Sequence, residues 1–120
     1  MFFTTSIDES PVREFAAGEN LTALTAVELT ADGLSIAGAS SIPLGLTISD
    51  VEAGDSATIQ LEGGGLWLAG ESLAAGDFLS AGASGVAVKA TSGKFIFAQA
   101  LEAAPANSAA AVHIVRAGKA

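Results

Sequence analysis

Ala53-Gly54-Asp55-Ser56-Ala57-Thr58-Ile59-Gln60-Leu61-Glu62 decides the fold class. Ala57, Ile59 and Leu61 alternate with Thr58, Gln60 and Glu62, the period of a strand with one face buried. The Ala-Gly-Asp in front of it is a turn. Glycine reaches positive φ at little steric cost, and the acid can accept a bond from the local backbone. Related triplets stand at Ala69-Gly70-Glu71 and Ala75-Gly76-Asp77, and each precedes a run that reads as a strand. Turn signals this closely spaced, from residue 44 to residue 115, predict an all-β module, a small β-barrel or β-sandwich.

Toward the N-terminus, Leu44-Gly45-Leu46-Thr47-Ile48 reads as another strand, set off by a break at Ser40-Ser41-Ile42-Pro43. Val27-Glu28-Leu29-Thr30 meets Ala31-Asp32-Gly33 and returns as Leu34-Ser35-Ile36, a hairpin. Residues 1–20 read as an extended arm: Pro11 interrupts regular structure, and Phe2, Phe3 and Phe15 stand among Asp8, Glu9, Glu14 and Glu19. Such a stretch is either a frayed, solvated terminus or an arm that docks on a neighbouring subunit or a partner; three rings left in water would be an aggregation hazard, which favours the docked arm. Residues 21–120 are expected to form the one β-rich domain.

Toward the C-terminus, Gly63-Gly64-Gly65 is expected to end the strand as a flexible turn, with Leu66-Trp67-Leu68 and Asp77-Phe78-Leu79-Ser80 as short strands. Val86-Ala87-Val88-Lys89-Ala90 and Lys94-Phe95-Ile96-Phe97-Ala98 flank Thr91-Ser92-Gly93 and read as a hairpin. Phe95 and Phe97 share one face of that strand, Ile96 and Ala98 the other. Both faces are apolar, which places the strand between packed layers or under a partner subunit. Residues 99–104 end at Pro105 as a strand end or a helical turn, and Ala111 to Arg116 is the last strand.

At 120 residues the chain is one domain by length, large enough to bury its own core. Half of its residues are hydrophobic, but many of these are alanine. Alanine buries little area, so the core is expected to be thin and to be supplemented by contacts between subunits. The formal net charge is -8, with Arg13, Lys89, Lys94, Arg116 and Lys119 as the cations. Such a surface repels phosphate backbones and argues against direct nucleic-acid binding; it favours docking on a basic surface. With no cysteine, there is no disulfide framework or thiolate metal site. Met1-Phe2-Phe3 runs at once into polar and acidic residues, unlike a signal peptide or a membrane span. The expected setting is soluble, first in the cytoplasm, with no membrane partner.

The residues of catalysis are sparse. His113, the one histidine, stands in a β-like run beside Val112 and Ile114. No ligand spacing accompanies it, and no Gly-x-Ser-x-Gly elbow offers it a nucleophile. The glycine triplet is not followed by Lys-Ser or Lys-Thr, as a phosphate loop requires. Asp50, Glu52 and Asp55 lack the twelve-residue calcium-loop pattern. No enzyme activity, metal or cofactor is therefore expected. Trp67 with Phe95 and Phe97 forms either core or interface, or a sugar-stacking platform. The latter is the basis of an alternative, a carbohydrate- or host-surface-binding β-module.

Gly45-Leu46-Thr47, Ala53-Gly54-Asp55-Ser56-Ala57-Thr58-Ile59 and Leu73-Ala74-Ala75-Gly76-Asp77-Phe78-Leu79 follow one another in this order. Gly85-Val86-Ala87-Val88-Lys89, Phe97-Ala98-Gln99-Ala100-Leu101-Glu102-Ala103-Ala104 and Val112-His113-Ile114-Val115 continue the series. Over about residues 42–116 this succession resembles the tailed-phage capsid cement or head-decoration proteins of the DUF2190 type; residues 1–40 depart from that pattern. The resemblance implies a structural virion protein, made in the host cytoplasm and carried on the outer surface of an icosahedral head. It implies the major capsid protein as partner, self-association as a homotrimer, and stabilisation of the head by bridging capsid subunits. Phe2, Phe3, Phe15, Trp67, Phe95 and Phe97 are the residues expected at the capsid or subunit interface.

Overall fold

The computed structural model describes residues 12–39 and 41–119, and strands dominate them. In chain order these are β1 (Val12–Ala16), β2 (Ala26–Thr30), β3 (Gly33–Ile36), β4 (Gly45–Thr47), β5 (Ser56–Gln60), β6 (Gly63–Leu68), β7 (Phe78–Ala81), β8 (Ala87–Lys89), β9 (Phe95–Ala100) and β10 (Ala109–Lys119). They pair into two antiparallel five-stranded sheets, ordered β1-β5-β4-β2-β3 and β6-β10-β9-β7-β8. The second order is the first displaced by five strands. One topology is drawn twice along the chain.

The repetition extends to single hydrogen bonds. Ala17-Gly18-Glu19 follows β1, and Ala69-Gly70-Glu71 follows β6. Ala17 forms a parallel bridge to Leu34, and Ala69 forms one to Ala87. The next N–H, of Gly18, donates to the Leu34 carbonyl at 2.8 Å; that of Gly70 donates to Ala87 at 2.7 Å. Glu19 Oε2 then accepts from the Ile36 N–H at 2.8 Å, as Glu71 Oε2 does from Lys89 at 2.7 Å. Two residues on, Leu21 bridges Val51 and Leu73 bridges Ala104, both antiparallel. Each corner ties the first strand of its sheet to the last, so each sheet curls toward a small barrel.

The corner triplet differs from the Ala-Gly-Asp turns that it resembles in sequence. Gly54 and Gly76 have φ of 90° and 89° with open space around them, so they serve as turn glycines. Gly70 does not have positive φ; a Cβ there would lie 2.5 Å from Val86 Cγ2. It is needed for close approach of two chain segments.

Inside the first sheet, Ala17, Leu21, Val27, Leu34, Ala57 and Ile59 form a buried cluster. Inside the second, Trp67 and Phe97 stand among small residues such as Ala69, Ala87, Ala98 and Ala110. Ala26, Ala37 and Leu46 of the first repeat belong to this second cluster, which makes the two repeats one body. Strand alternation explains it. Val27 and Ile59 face their own interior, so Ala26 and Leu46, paired across the outer face, meet the other repeat.

Arg116 fastens the junction. The pairing of β10 with β9 shifts register between Ile114 and Gly118, and Arg116 sits in that bulge with φ of 48°. A bulge re-aims a side chain. Here the guanidinium stacks over Phe97 at 5.0 Å and donates to the carbonyls of Pro43 at 3.0 Å, Leu61 at 3.0 Å and Leu44. Loss of water around it lowers its pKa, and the nearby charge of Glu62 opposes that shift.

Several local expectations are corrected. Gly63-Gly64-Gly65 opens β6 and pairs with β10 instead of ending a strand. β8 and β9 are not a hairpin: β8 pairs with β7, and β9 lies between β7 and β10. The Thr91-Ser92-Gly93 turn reverses the chain without making its flanking strands partners. From Val12 onward, the stretch expected as an arm forms an edge strand, β1, paired with β5. The hairpin at Ala31-Asp32-Gly33 is present, with Thr30 opposite Gly33.

Arg116→Gln should lower the unfolding free energy by about 2 kcal/mol, because bonds to a charged donor are worth roughly 1.5–3 kcal/mol and part of this group remains wet. A urea midpoint matching that of the parent chain would show that the clamp carries no stability.

Candidate docking surfaces

The structure places the expected interface rings in different surroundings. Trp67 is fully buried, and its Nε1–H donates to the Gly85 carbonyl at 2.8 Å. Phe97 is also fully buried, edge-on to Trp67 at 5.5 Å and 87°. This corrects their assignment to a sugar platform or an interface. In a core of alanines the volume must come from somewhere, and two large rings fill it. Phe95 is half-buried against the same cluster. Phe15 is half-buried against the first repeat's core, with the Arg13 guanidinium 5.5 Å from its ring centre. Phe2 and Phe3 lie outside the described residues.

The apolar side chains that do reach water are others: Leu29, Ile42, Ile48, Leu66, Phe78 and Leu101, each about half exposed or more. Leu66 and Phe78 point outward by strand alternation, each adjacent to an inward residue, Trp67 and Leu79. Ile48 and Leu66 flank a groove of about 230 Å³ at the junction of the repeats, lined also by Leu24, Leu46, Thr47, Gln60 and Gly65. Gly65 leaves it open: a Cβ there would lie 3.4 Å from Gln60 Cγ and 3.7 Å from Leu46 Cδ1.

The polar candidates serve local structure. His113 is exposed on β10, opposite Gly64 on one side and Gln99 on the other. Asp50 Oδ1 accepts from the Ala23 N–H at 2.8 Å, and Asp77 Oδ2 from Ala74 at 2.9 Å, so both tie turns together. Among the described residues no three His, Asp or Glu side chains converge as metal ligands. No helix among them is long and apolar enough to cross a membrane.

No protein-family model matches the chain, and no curated protein does. Among solved structures it is similar to the crystal structure of the head fiber gp8.5 N base of bacteriophage phi29. The TM-score is 0.75 at 24% identity, over 91% of this chain and 98% of that one. That likeness is one of overall fold.

Trp67→Phe keeps a ring in the core but strands the Gly85 carbonyl. It should cost about 1–3 kcal/mol, read as a lower urea midpoint. His113→Gln, on the exposed face, should stay within about 0.5 kcal/mol of the parent. The reverse ranking would overturn this division between core and surface.

Proposed function

We propose that this chain is a structural virion protein of a tailed phage, bound to the head. The observation that carries the reading is its fold likeness over nearly the whole of a head fiber base. The succession of small turns and strands that resembles capsid decoration proteins is consistent with it. In this reading the chain acts as a decoration or cement protein on the outer surface of the capsid, a homotrimer that bridges major capsid protein subunits. It performs no catalysis.

The physical logic is avidity. Separate weak contacts to adjacent capsid subunits become strong when one rigid body makes them together. A net charge of -8 suits a basic capsid surface and keeps free copies soluble. The half-exposed apolar side chains supply contact area. The arm, with Phe2 and Phe3 as anchors, is read as a further contact to the capsid or to a sister subunit. The carbohydrate-binding alternative loses its platform, because Trp67 and Phe97 are interior.

Heads lacking the protein, mixed with purified protein, should take it up to a fixed ratio with the major capsid protein and resist heat better. Absence of uptake, with binding to a glycan array instead, would reject the reading. Deletion of residues 2–10 should reduce uptake while leaving thermal unfolding of the free protein nearly unchanged. Full occupancy after that deletion would remove the arm from the contact.

A further inference from the structure

The junction between the two repeats is an interface with a donor side and an acceptor side, and each repeat carries both. In the observed junction the donor is the second repeat. Its first strand, β6, gives the Leu68 N–H to the Leu24 carbonyl at 2.7 Å. Its Gly85 lies so close to Ala26 that a Cβ would be 2.6 Å from the Ala26 oxygen. The acceptor is the outer face of the first repeat, where Ala26 and Leu46 are buried by the contact.

The second repeat has an acceptor face of its own. The counterpart of Ala26, in matching register, is Phe78: the N–H of Ala37 bonds to Ala26, and that of Ala90 bonds to Phe78. Leu46 corresponds to Gln99, and Ile48 to Leu101. Phe78 is 49% exposed and Leu101 is 56% exposed. Ala26 is covered in the first repeat while its counterpart Phe78 is bare and apolar; Ile48 and Leu101 are exposed in both.

The first repeat has the matching donor side. Ala16 in β1 corresponds to Leu68 in β6. The Ala17 N–H bonds the carbonyl of Asp55, just before the neighbouring strand β5. Successive N–H groups of a strand point to opposite sides, so that of Ala16 points outward from the sheet edge. This is the direction in which the Leu68 N–H meets Leu24.

We propose that a second copy of this chain occupies the bare face. The β1 edge of one copy seats on the Phe78–Gln99–Leu101 face of the next, repeating between chains the junction found within each chain. The contact is heterologous, one surface against a different one. It therefore propagates until a ring closes or a fibre grows. The inference rests on the internal repeat and deepens the self-association of the virion reading by naming the two surfaces through which copies meet. Its test uses free protein, so its failure is distinct from failure to bind heads.

Two variants separate the surfaces. Phe78→Glu breaks the acceptor face, and Ala16→Glu breaks the donor edge. In sedimentation, the parent chain should form oligomers as concentration rises, and each variant alone should remain monomeric. Each variant retains one good surface, so an equimolar mixture should give dimers and nothing larger. Near-ultraviolet circular dichroism of Trp67 checks that both are folded, with Leu101→Lys as a substitute if Phe78→Glu is not. A parent chain that stays monomeric at millimolar concentration overturns the proposal. So does a Phe78→Glu mass equal to that of the parent, or a mixture that stays monomeric, which would mark an isologous contact.

Discussion

The bond from the Trp67 indole N–H to the Gly85 carbonyl, 2.8 Å long and fully buried, is the point on which both repeats turn. It runs from β6 to the turn between β7 and β8, across the interior of the second sheet. It holds Gly85, at φ of 72°, against the backbone of Ala26 and the Ile36 methyl in the first sheet. A Cβ at that position has no room, and an L residue would resist that φ. The core ring, the turn and the junction are thus one constraint. A buried indole needs an acceptor; the acceptor here is the glycine that lies against the other repeat.

Arg116 makes the complementary contact from the far end of β10. Three carbonyls near the ends of β4 and β5 face outward at the junction, and a cation on an aromatic face answers them without a buried acid. Stacking a guanidinium on Phe97 adds roughly 0.5–2 kcal/mol, according to how far it is desolvated. The thin, alanine-rich interior makes such polar fastening more valuable. Each alanine gives little transfer energy, so relative placement of the sheets depends on a few specific bonds and two rings.

Much of this architecture is written locally. The alternation at Ala57–Ile59 and the hairpin at Ala31-Asp32-Gly33 are properties of short segments, and both are found as read. Pairing partners are not local. Nothing in Thr91-Ser92-Gly93 says that β9 will insert between β7 and β10. Glycine is disfavoured in strands, so Gly63-Gly64-Gly65 reads as a loop; its place in β6 depends on β10 alongside and the groove beside Gly65. Trp67 reads as a surface ring or a core ring equally well until the alanines around it are seen to leave a space. The repeat itself is legible only at its corners, Ala17-Gly18-Glu19 against Ala69-Gly70-Glu71. Gly18 and Gly70 leave no room for a Cβ, and each glutamate carboxylate accepts from a backbone N–H. Elsewhere any apolar residue of suitable volume fits, and Val27 and Leu79 can replace one another in role without matching in identity.

The same reasoning explains why the repeats differ most on their outer faces. Interior positions answer to one constraint, filling a barrel, and it is the same in both. The outer face of the first repeat is sealed by the second, so Ala26 and Leu46 are small or aliphatic and wholly dry. Among the described residues nothing seals the outer face of the second repeat in this way, and it mixes Phe78 and Leu101 with Gln99 and His113. A face that must stay soluble in the free protein and still offer apolar area to another surface requires this mixture. A wholly apolar face would aggregate, and a wholly charged one would not hold. The composition of that face therefore fits a surface that is wet in the free chain and that a second copy could cover.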